Sequence, residues 1–294
     1  MIHYPDECMI DIALREEILS YYTGLDYSEW NRECNMHFGY YRFPMNPFKR
    51  EAMIEEMNAQ VFKHLELKRE DRLIYDLGCG LGAGCRSFAK RFPGKKVKGI
   101  TIVPWQVARA NELTSHSEIK SSIELVLGDY TRLPFEDNSA DGVYAIESCC
   151  HSEGEDKAAF LKEMIRVLKP GKRFVIVDGF TNEVTSSPGS LFRYCYNEIC
   201  KEWALPSFPK LALVKKQIEQ LGGANIVVRD LSYRVAPSVV QAPVIVAYFL
   251  MKRLLEGGEN NRIRLVHLKA CLLGLVLGLH RHRFSYCMIT GTKQ

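Results

Sequence analysis

Titratable and nucleophilic side chains crowd the end of one apolar stretch, YAIESCCHSE, residues 144–153. Glu147 and His151 are the side chains there that can accept a proton, and a buried carboxylate can also stabilise a cation. Cys149 and Cys150 suggest a metal, but in a continuing strand adjacent side chains leave opposite faces and cannot readily share one zinc with His151. We therefore interpret Glu147 as the leading candidate catalytic residue, with His151 as a second base, and predict no metal.

A glycine-rich turn, DLGCGLG, supplies a second group of candidates. Gly78 and Gly80 would let the backbone approach a ligand at the start of a helix, a pattern that fits NAD, FAD and S-adenosylmethionine alike. Asp76 can accept a hydrogen bond from a ligand amino group, and Thr101 stands where a dinucleotide-binding protein carries a ribose-binding acid. Asp129, after the third strand, is placed to reach an adenine amino group. These residues favour S-adenosylmethionine over a dinucleotide.

Aromatic residues are concentrated ahead of the first strand, in YYTGLDYSEWNRECNMHFGYYRF. Polar residues are interleaved with them, which favours a lid over an ordinary core stripe. We predict that Tyr21 and Tyr22 cover the cofactor and that Trp30, His37 and Tyr40 line a substrate pocket, where aromatic faces can stabilise a cation.

The elements that must position these residues alternate between strands and helices from about residue 71. RLIYDLGCG, KVKGIT, IELVLGD, ADGVYAIES and KPGKRFVIVDGF are predicted strands, with GCRSFAKRF, VPWQVARANELTSH and DKAAFLKEMIRVL as helices between them. This alternation predicts an α/β fold with a doubly wound parallel sheet. The carboxyl ends of parallel strands form the ligand crevice, so Glu147 should face a bound ligand.

The flanking segments complete the predicted architecture. Helices are predicted near both ends of the N-terminal segment and over 190–203 and 209–221. The segments ANIVVRDLS and FSYCMITGTK are predicted to be strands six and seven. About fifty residues, rich in apolar helix-formers, separate these last two strands. We therefore expect a seven-stranded Rossmann-like sheet with an N-terminal helical and aromatic lid (1–66), a cofactor-binding core (67–182), and a helical insertion plus the last two strands (183–294).

Composition restricts the partners and the compartment. A net charge of +4 over 294 residues, with no basic run, argues against nucleic acid. The N-terminus has no apolar stretch long enough for a secretion signal, so the ten cysteines are expected to be reduced thiols of a cytoplasmic protein. The apolar stretch 265–280 is shorter than the roughly 20 residues of a membrane span. Residues 235–280 are thus expected to form a lid, a peripheral membrane contact or a homo-oligomer interface.

Several motifs together resemble the class I methyltransferases of the sterol C-24 and tocopherol methyltransferase group. They are LIYDLGCGLG, VKGITIVPWQVARANEL, GDYTRLPFEDNSADGVYAIESCCH and VLKPGKRF, with HFGYY similar to the segment that closes over the cofactor. The resemblance covers roughly residues 20–180. One departure is AGCR at 83–86, where sterol enzymes usually carry Gly-Pro before the arginine.

The resemblance implies S-adenosylmethionine as cofactor and assigns residues to its parts. Asp76, Gly78 and Gly80 match the positions on its methionine portion. Thr101 and Gln106 match the ribose-side motif, and Asp129 matches the adenine-side acid.

The sequence leaves the identity of the methyl acceptor open. An isoprenoid-like substrate methylated on carbon is favoured by YAIESCCH and by the apolar insertion, which suit a lipophilic or amphiphilic molecule. N- or O-methylation of a small aromatic, amine or alkaloid-like acceptor is the alternative, favoured by GITIVPWQVARANEL. A non-catalytic S-adenosylmethionine-binding protein and a dehydrogenase are weaker hypotheses, the latter because no acid follows the second strand.

Overall fold

The computed structural model describes residues 12–23, 33–244, 246–248, 251 and 262–294. Within these residues the strands form one seven-stranded sheet in the order β3-β2-β1-β4-β5-β7-β6. The strands are β1 (Leu73–Leu77), β2 (Lys96–Thr101), β3 (Ile123–Leu127), β4 (Ala140–Ile146), β5 (Leu168–Thr181), β6 (Gly223–Asp230) and β7 (Phe284–Lys293). Pairings among β1 to β5 are parallel, and β7 runs antiparallel between β5 and β6.

Helices cover both faces of this sheet. Among the described residues they include α1 (Ile12–Thr23), α2 (Arg50–His64), α3 (Ala83–Arg91), α4 (Pro104–Thr114), α5 (Ala158–Val167), α6 (Ser190–Glu202), α7 (Leu211–Gln220), α8 (Ser232–Val239) and α9 (Arg262–Leu279). Helix α4 begins at Pro104, whose fixed φ and missing N–H suit the first helical turn. The connections from β1 through β5 therefore run through helices or long crossovers, as parallel pairing requires.

The core lies in two layers because the side chains of β5 alternate between the faces of the sheet. Phe174 and Ile176 pack with the layer that contains α5 and α7. Val175 and Val177 pack with the layer that contains α2 and α3. All four side chains are buried, which is the reason the strand reads as a continuous apolar run.

The predicted fold class is confirmed, including the helical insertion, since α8 and α9 stand between β6 and β7. Strand β4 ends two residues before the end of the predicted strand ADGVYAIES, so it does not continue through the two cysteines. The strand ends at Ile146, Glu147 takes a left-handed conformation (φ 48°), and Cys149–His151 form a short 3₁₀ turn. The left-handed residue turns the chain, so the titratable side chains leave the sheet at its edge.

Three further observations bear on the sequence predictions. The nine described cysteines are free thiols. No group of three or more His, Cys, Asp or Glu side chains among the described residues is arranged to hold a metal ion. A search of the same residues for a helix with the length and apolar character needed to cross a membrane found none.

Candidate active site

A cavity of about 550 Å³ opens at the carboxyl ends of β1, β2, β4 and β5. Its size is within the range of small-molecule and cofactor sites. The glycine-rich turn forms one end, residues of α1 and of the segment 34–38 form the cover, and α8 and α9 form the far wall. The cavity therefore combines a polar end at the glycines with a mainly apolar end at the inserted helices.

The turn after β1 needs glycine for two different reasons. Gly78 has φ 87°, and a Cβ there would lie 2.4 Å from the Cβ of Ser148. Ser148 cannot simply move away, because its hydroxyl donates a 2.5 Å hydrogen bond to the carbonyl of Leu77. Gly80 has φ 52°, and a Cβ there would meet nothing within 4 Å, so its backbone borders open space. Gly78 thus shapes the turn, and Gly80 leaves the room into which a ligand fits.

Two acids line the cavity, and one carboxyl oxygen of each accepts hydrogen bonds from protein groups. Oδ2 of Asp76 accepts hydrogen bonds from the hydroxyl of Tyr144 (2.9 Å) and the thiol of Cys85 (3.3 Å). Burial raises the pKa of Asp76 to about 7. Oδ1 of Asp129 accepts from the N–H and hydroxyl of Thr131, both at 2.7 Å. Within the described chain the second oxygen of each acid accepts no hydrogen bond, which fits a ligand that carries amino groups at both ends.

Thr101, at the end of β2, and Gln106, in the first turn of α4, are in contact. The contact is compatible with the ribose-side role predicted for both. The Thr101 hydroxyl donates a 2.7 Å hydrogen bond to Oε1 of Gln106, and both side chains are buried in the cavity wall. The contact fixes the Gln106 amide, so that its NH₂ group, which donates to no described residue, is the part available to a ligand. The donors and acceptors of this end of the cavity fit S-adenosylmethionine. The placement of its amino acid portion at Asp76 and of its adenine at Asp129 stays a prediction.

Glu147 stands between this polar end and the apolar end. Its Oε1 accepts hydrogen bonds from the backbone N–H of Phe38 (2.7 Å) and the hydroxyl of Tyr286 (2.5 Å). Burial is the largest influence on this carboxyl and, together with Asp178, raises its pKa to about 8, while the two hydrogen bonds and Arg50 act in the opposite direction. Glu147 is therefore a carboxyl group that changes protonation state near neutral pH.

His151 lies close to Glu147 in the chain but has a different environment. Its Nδ1–H donates to the carbonyl of Ala204 (3.3 Å), so its Nε2 accepts from the hydroxyl of Tyr22 (3.0 Å). Burial lowers the pKa of His151 to about 4. The imidazole is consequently neutral at physiological pH, with an unprotonated Nε2 that faces the cover of the cavity.

The aromatic residues of the N-terminal segment have separate positions. Tyr21 and Tyr22 line the cavity from α1, and the indole N–H of Trp105 donates to the carbonyl of Tyr22 (3.0 Å). His37 also lines the cavity, with its ring buried and its Nε2 3.1 Å from the side-chain oxygen of Asn58. Tyr40 does not border the described cavity, because its ring packs under the guanidinium of Arg234. Trp30 lies outside the described residues.

The sequence analysis did not identify the buried groups that hold the turn after β4 by hydrogen bonds. Asp178 accepts hydrogen bonds from the thiol of Cys149 and the N–H of Cys150, both at 3.1 Å. The ammonium of Lys157, fully buried, donates to the carbonyls of Cys150, Ser152 and Ser207. The two cysteines therefore belong to a buried support. No spacing in the sequence indicates these contacts, which join the turn after β4 to strand β5 and to the loop between α6 and α7.

Comparison with known proteins places these features in a family. Residues 75–176 match the family model described as a methyltransferase domain. The chain is 30% identical over 241 residues to the tocopherol O-methyltransferase of Arabidopsis thaliana, covering 76% of this chain and 68% of that protein. It is 32% identical over 158 residues to 24-methylenesterol C-methyltransferase 2 of the same plant, covering 54% of this chain and 42% of that protein. The chain thus spans about two thirds or less of the length of the curated relatives it matches.

A solved structure shares the fold over nearly the whole chain. It is the geranyl diphosphate C-methyltransferase of Streptomyces coelicolor, with a TM-score of 0.74 and 15% identity, covering 99% of this chain and 100% of that one. That enzyme was crystallised with magnesium, geranyl diphosphate and S-adenosylhomocysteine. The glycine turn, the acids of the cavity and the sequence relatives agree on the cofactor. The chain belongs to the class I S-adenosylmethionine-dependent methyltransferases, in the group that contains the tocopherol and sterol methyltransferases.

Proposed function

We propose that this protein methylates an electron-rich double bond of an isoprenoid-like acceptor, such as a sterol or a prenyl chain, on carbon. The observation that carries the proposal is the position of Glu147, a carboxyl group held beside an otherwise mainly apolar space. A heteroatom acceptor needs a base for an O–H or N–H proton. A double bond instead needs a negative group beside the cation that methylation creates.

When bound, S-adenosylmethionine supplies an electrophilic methyl group and departs as a neutral thioether. The acceptor's π electrons form the new carbon–carbon bond, which leaves a carbocation at the neighbouring carbon. Ionised Glu147 stabilises that cation and then takes a proton from an adjacent carbon, which restores a double bond. The apolar walls contributed by Val235, Val239 and Leu275 exclude water, which would otherwise trap the cation as an alcohol.

Glu147→Gln tests this role, because glutamine keeps the size of the side chain and removes both its charge and its basicity. We expect a loss of about 100-fold or more in kcat with near-normal affinity for S-adenosylmethionine. Glu66→Gln is the matched control, since Glu66 pairs with Arg173 on the surface, away from the cavity. Near wild-type turnover in Glu147→Gln would exclude the proposed role.

O-methylation of a phenol is the second candidate, and the contact between Tyr22 and His151 favours it. A tyrosine hydroxyl already donates to the unprotonated Nε2 of His151 at 3.0 Å. A phenolic acceptor in place of Tyr22 would give its proton to the same nitrogen. The relative named tocopherol O-methyltransferase supports the same reading.

A labelled methyl donor distinguishes the two candidates. Product carrying the label on carbon, with Glu147→Gln inactive and His151→Ala active, supports the first proposal. Label on oxygen, with the opposite response of the two variants, supports the second.

A further inference from the structure

Two hydrogen-bond donors from distant parts of the chain converge on a single oxygen of Glu147. The hydroxyl of Tyr286 and the backbone N–H of Phe38 both donate to Oε1, at 2.5 and 2.7 Å. Within the described chain Oε2 accepts no hydrogen bond, and the half-buried carboxyl borders the cavity. Oε2 is therefore the oxygen left for a bound acceptor.

Rigid elements hold both donors. Tyr286 lies on β7, where it pairs with Gly179 of β5 within the antiparallel ladder. Phe38 precedes Gly39, whose N–H donates to the hydroxyl of Ser238 at 3.0 Å, and Tyr40, whose N–H donates to the carbonyl of Met53 at 2.7 Å. The rings of Phe38 and Tyr286 also meet edge to face, with centroids 6.0 Å apart. The donors cannot follow Glu147 if it rotates, so they fix its side chain.

We propose that Tyr286 is a positioning residue which, together with the N–H of Phe38, holds Glu147 with Oε2 towards the acceptor and favours its ionised form. The inference rests on the proposed function of Glu147 and deepens it. A hydroxyl donor strengthens its bond when the acceptor becomes charged, so the bond stabilises the carboxylate over the acid. It thereby opposes the burial that keeps this carboxyl protonated.

Other charged and titratable groups act on the same carboxyl. Asp178 disfavours its ionisation and Arg50 favours it. Tyr22, Cys150 and Cys271 also face it, and all three are neutral at pH 7 because burial raises their pKa values. A change at Tyr286 leaves these groups in place, so its effect on the titration of Glu147 can be measured separately.

Tyr286→Phe tests the proposal, because it removes the hydroxyl and keeps the ring. In the pH profile of kcat/KM, the limb assigned to Glu147 should move upward by roughly one pH unit. Activity at pH 7 should then fall about tenfold and recover substantially at higher pH. A tyrosine that serves packing alone would lower the rate equally at every pH. A limb that coincides with that of the wild type would overturn the inference.

Two further variants keep the result interpretable. Tyr75→Phe is the matched control, because its buried hydroxyl donates to Ser139 at 3.0 Å away from the cavity, and its pH profile should not move. Replacement of Tyr286 by 3-fluorotyrosine keeps the hydroxyl and makes it a stronger donor, so the limb should move downward even if Tyr286→Phe folds poorly. If Glu147→Gln is inactive while neither Tyr286 variant moves the limb, the positioning role fails and the proposed function stands. If Glu147→Gln is active, the proposed function itself fails.

Discussion

At the scale of single residues, burial determines which groups of the cavity carry charge. Glu147 and His151 are four positions apart, yet burial raises the pKa of the first to about 8 and lowers that of the second to about 4. Removal from water disfavours the charged form in both cases, so both groups are largely neutral near pH 7. A carboxyl group that is only partly ionised at pH 7 and an unprotonated imidazole therefore border the same cavity. Under the proposed function, the ionised fraction of Glu147 is the form that would act on a cation, and His151 is the base that a hydroxyl acceptor would need.

The raised pKa values make stability depend on pH. Asp76, with a pKa of about 7, and Glu147, with a pKa of about 8, bind protons more tightly in the folded state than in the unfolded state. Their contribution to stability is complete below about pH 4 and is lost as pH rises through 7 and 8. For the cofactor-free protein, we expect Glu147→Gln to reduce the loss of stability between pH 5 and pH 8 by roughly 2 kcal/mol, measured by urea unfolding. An unchanged slope would show that Glu147 is not a proton-binding group in the folded state.

Replacement by alanine should have different effects on stability at Gly78 and Gly80, the two glycines of the turn after β1. Gly78→Ala adds a Cβ 2.4 Å from that of Ser148 at φ 87°, and we expect about 3 kcal/mol of lost stability or failure to fold. Gly80→Ala adds a Cβ in open space, so its stability should fall by only about 1 kcal/mol while affinity for S-adenosylmethionine decreases. Thermal unfolding and calorimetric titration of the two variants measure these effects. Equal stability in both variants would contradict the assignment.

At the scale of elements, the short 3₁₀ turn after β4 is held by a buried lysine. Lys157 takes a left-handed conformation (φ 55°) directly before α5, and its ammonium donates to the carbonyls of Cys150 and Ser152 on one side and Ser207 on the other. The lysine thereby connects the turn after β4 to the loop between α6 and α7. This contact explains how a charged side chain can be fully buried.

Lys157→Met should therefore destabilise the protein. Methionine retains the length of the side chain but leaves three buried carbonyls without their donor, and we expect a loss of about 3 kcal/mol in the free energy of unfolding. Lys162→Met, at an exposed position of the same helix, is the control and should change stability by less than about 0.5 kcal/mol. Denaturant unfolding measures both. Comparable stability of the two variants would show that the carbonyls find other partners.

At the scale of the whole molecule, the apolar end of the cavity opens among exposed apolar side chains. Val240 (64% exposed) and Leu279 (80%) line the cavity and face solvent at the same time. The amide of Gln241 donates to the carbonyl of Pro47 at 2.6 Å, and the neighbouring residues in the chain, Val240 and Phe48, are both exposed. Exposed apolar groups beside an apolar cavity are typical of surfaces that bind protein partners, ligands or membranes. Peripheral membrane contact therefore stays a prediction, and Phe48, Val240 and Leu279 are the residues expected to make it.

Phe48→Ser combined with Val240→Ser tests this surface. We expect weaker co-sedimentation with vesicles of anionic phospholipid and slower methylation of an acceptor presented in those vesicles, because less apolar surface is buried on contact. Methylation of the same acceptor in detergent should be affected less. Val227→Ser combined with Val228→Ser, at two exposed positions of the edge strand β6, is the control. Equal vesicle binding by both double variants would contradict the prediction.

Local patterns in the sequence determined the fold class and the cofactor end of the cavity. The alternation of strands and helices, the glycines of the turn, and the acids near the carboxyl ends of β1 and β3 are properties of short segments, so spacing alone places them at one edge of a parallel sheet. The insertion before the last strand could also be predicted, because a long apolar stretch between two strands must form helices of its own.

Only the tertiary structure decided what the polar side chains of the acceptor end can do. Glu147 meets a tyrosine 139 positions away, and His151 meets one 129 positions away. These contacts, and the left-handed turn that ends β4 before the cysteines, arise from packing between distant elements. The pKa of a side chain depends on its burial and its neighbours, which residue type and spacing do not specify. The sequence therefore determined at which edge of the sheet the cavity lies, and the assembled fold decided which of its groups are charged and which are held by hydrogen bonds.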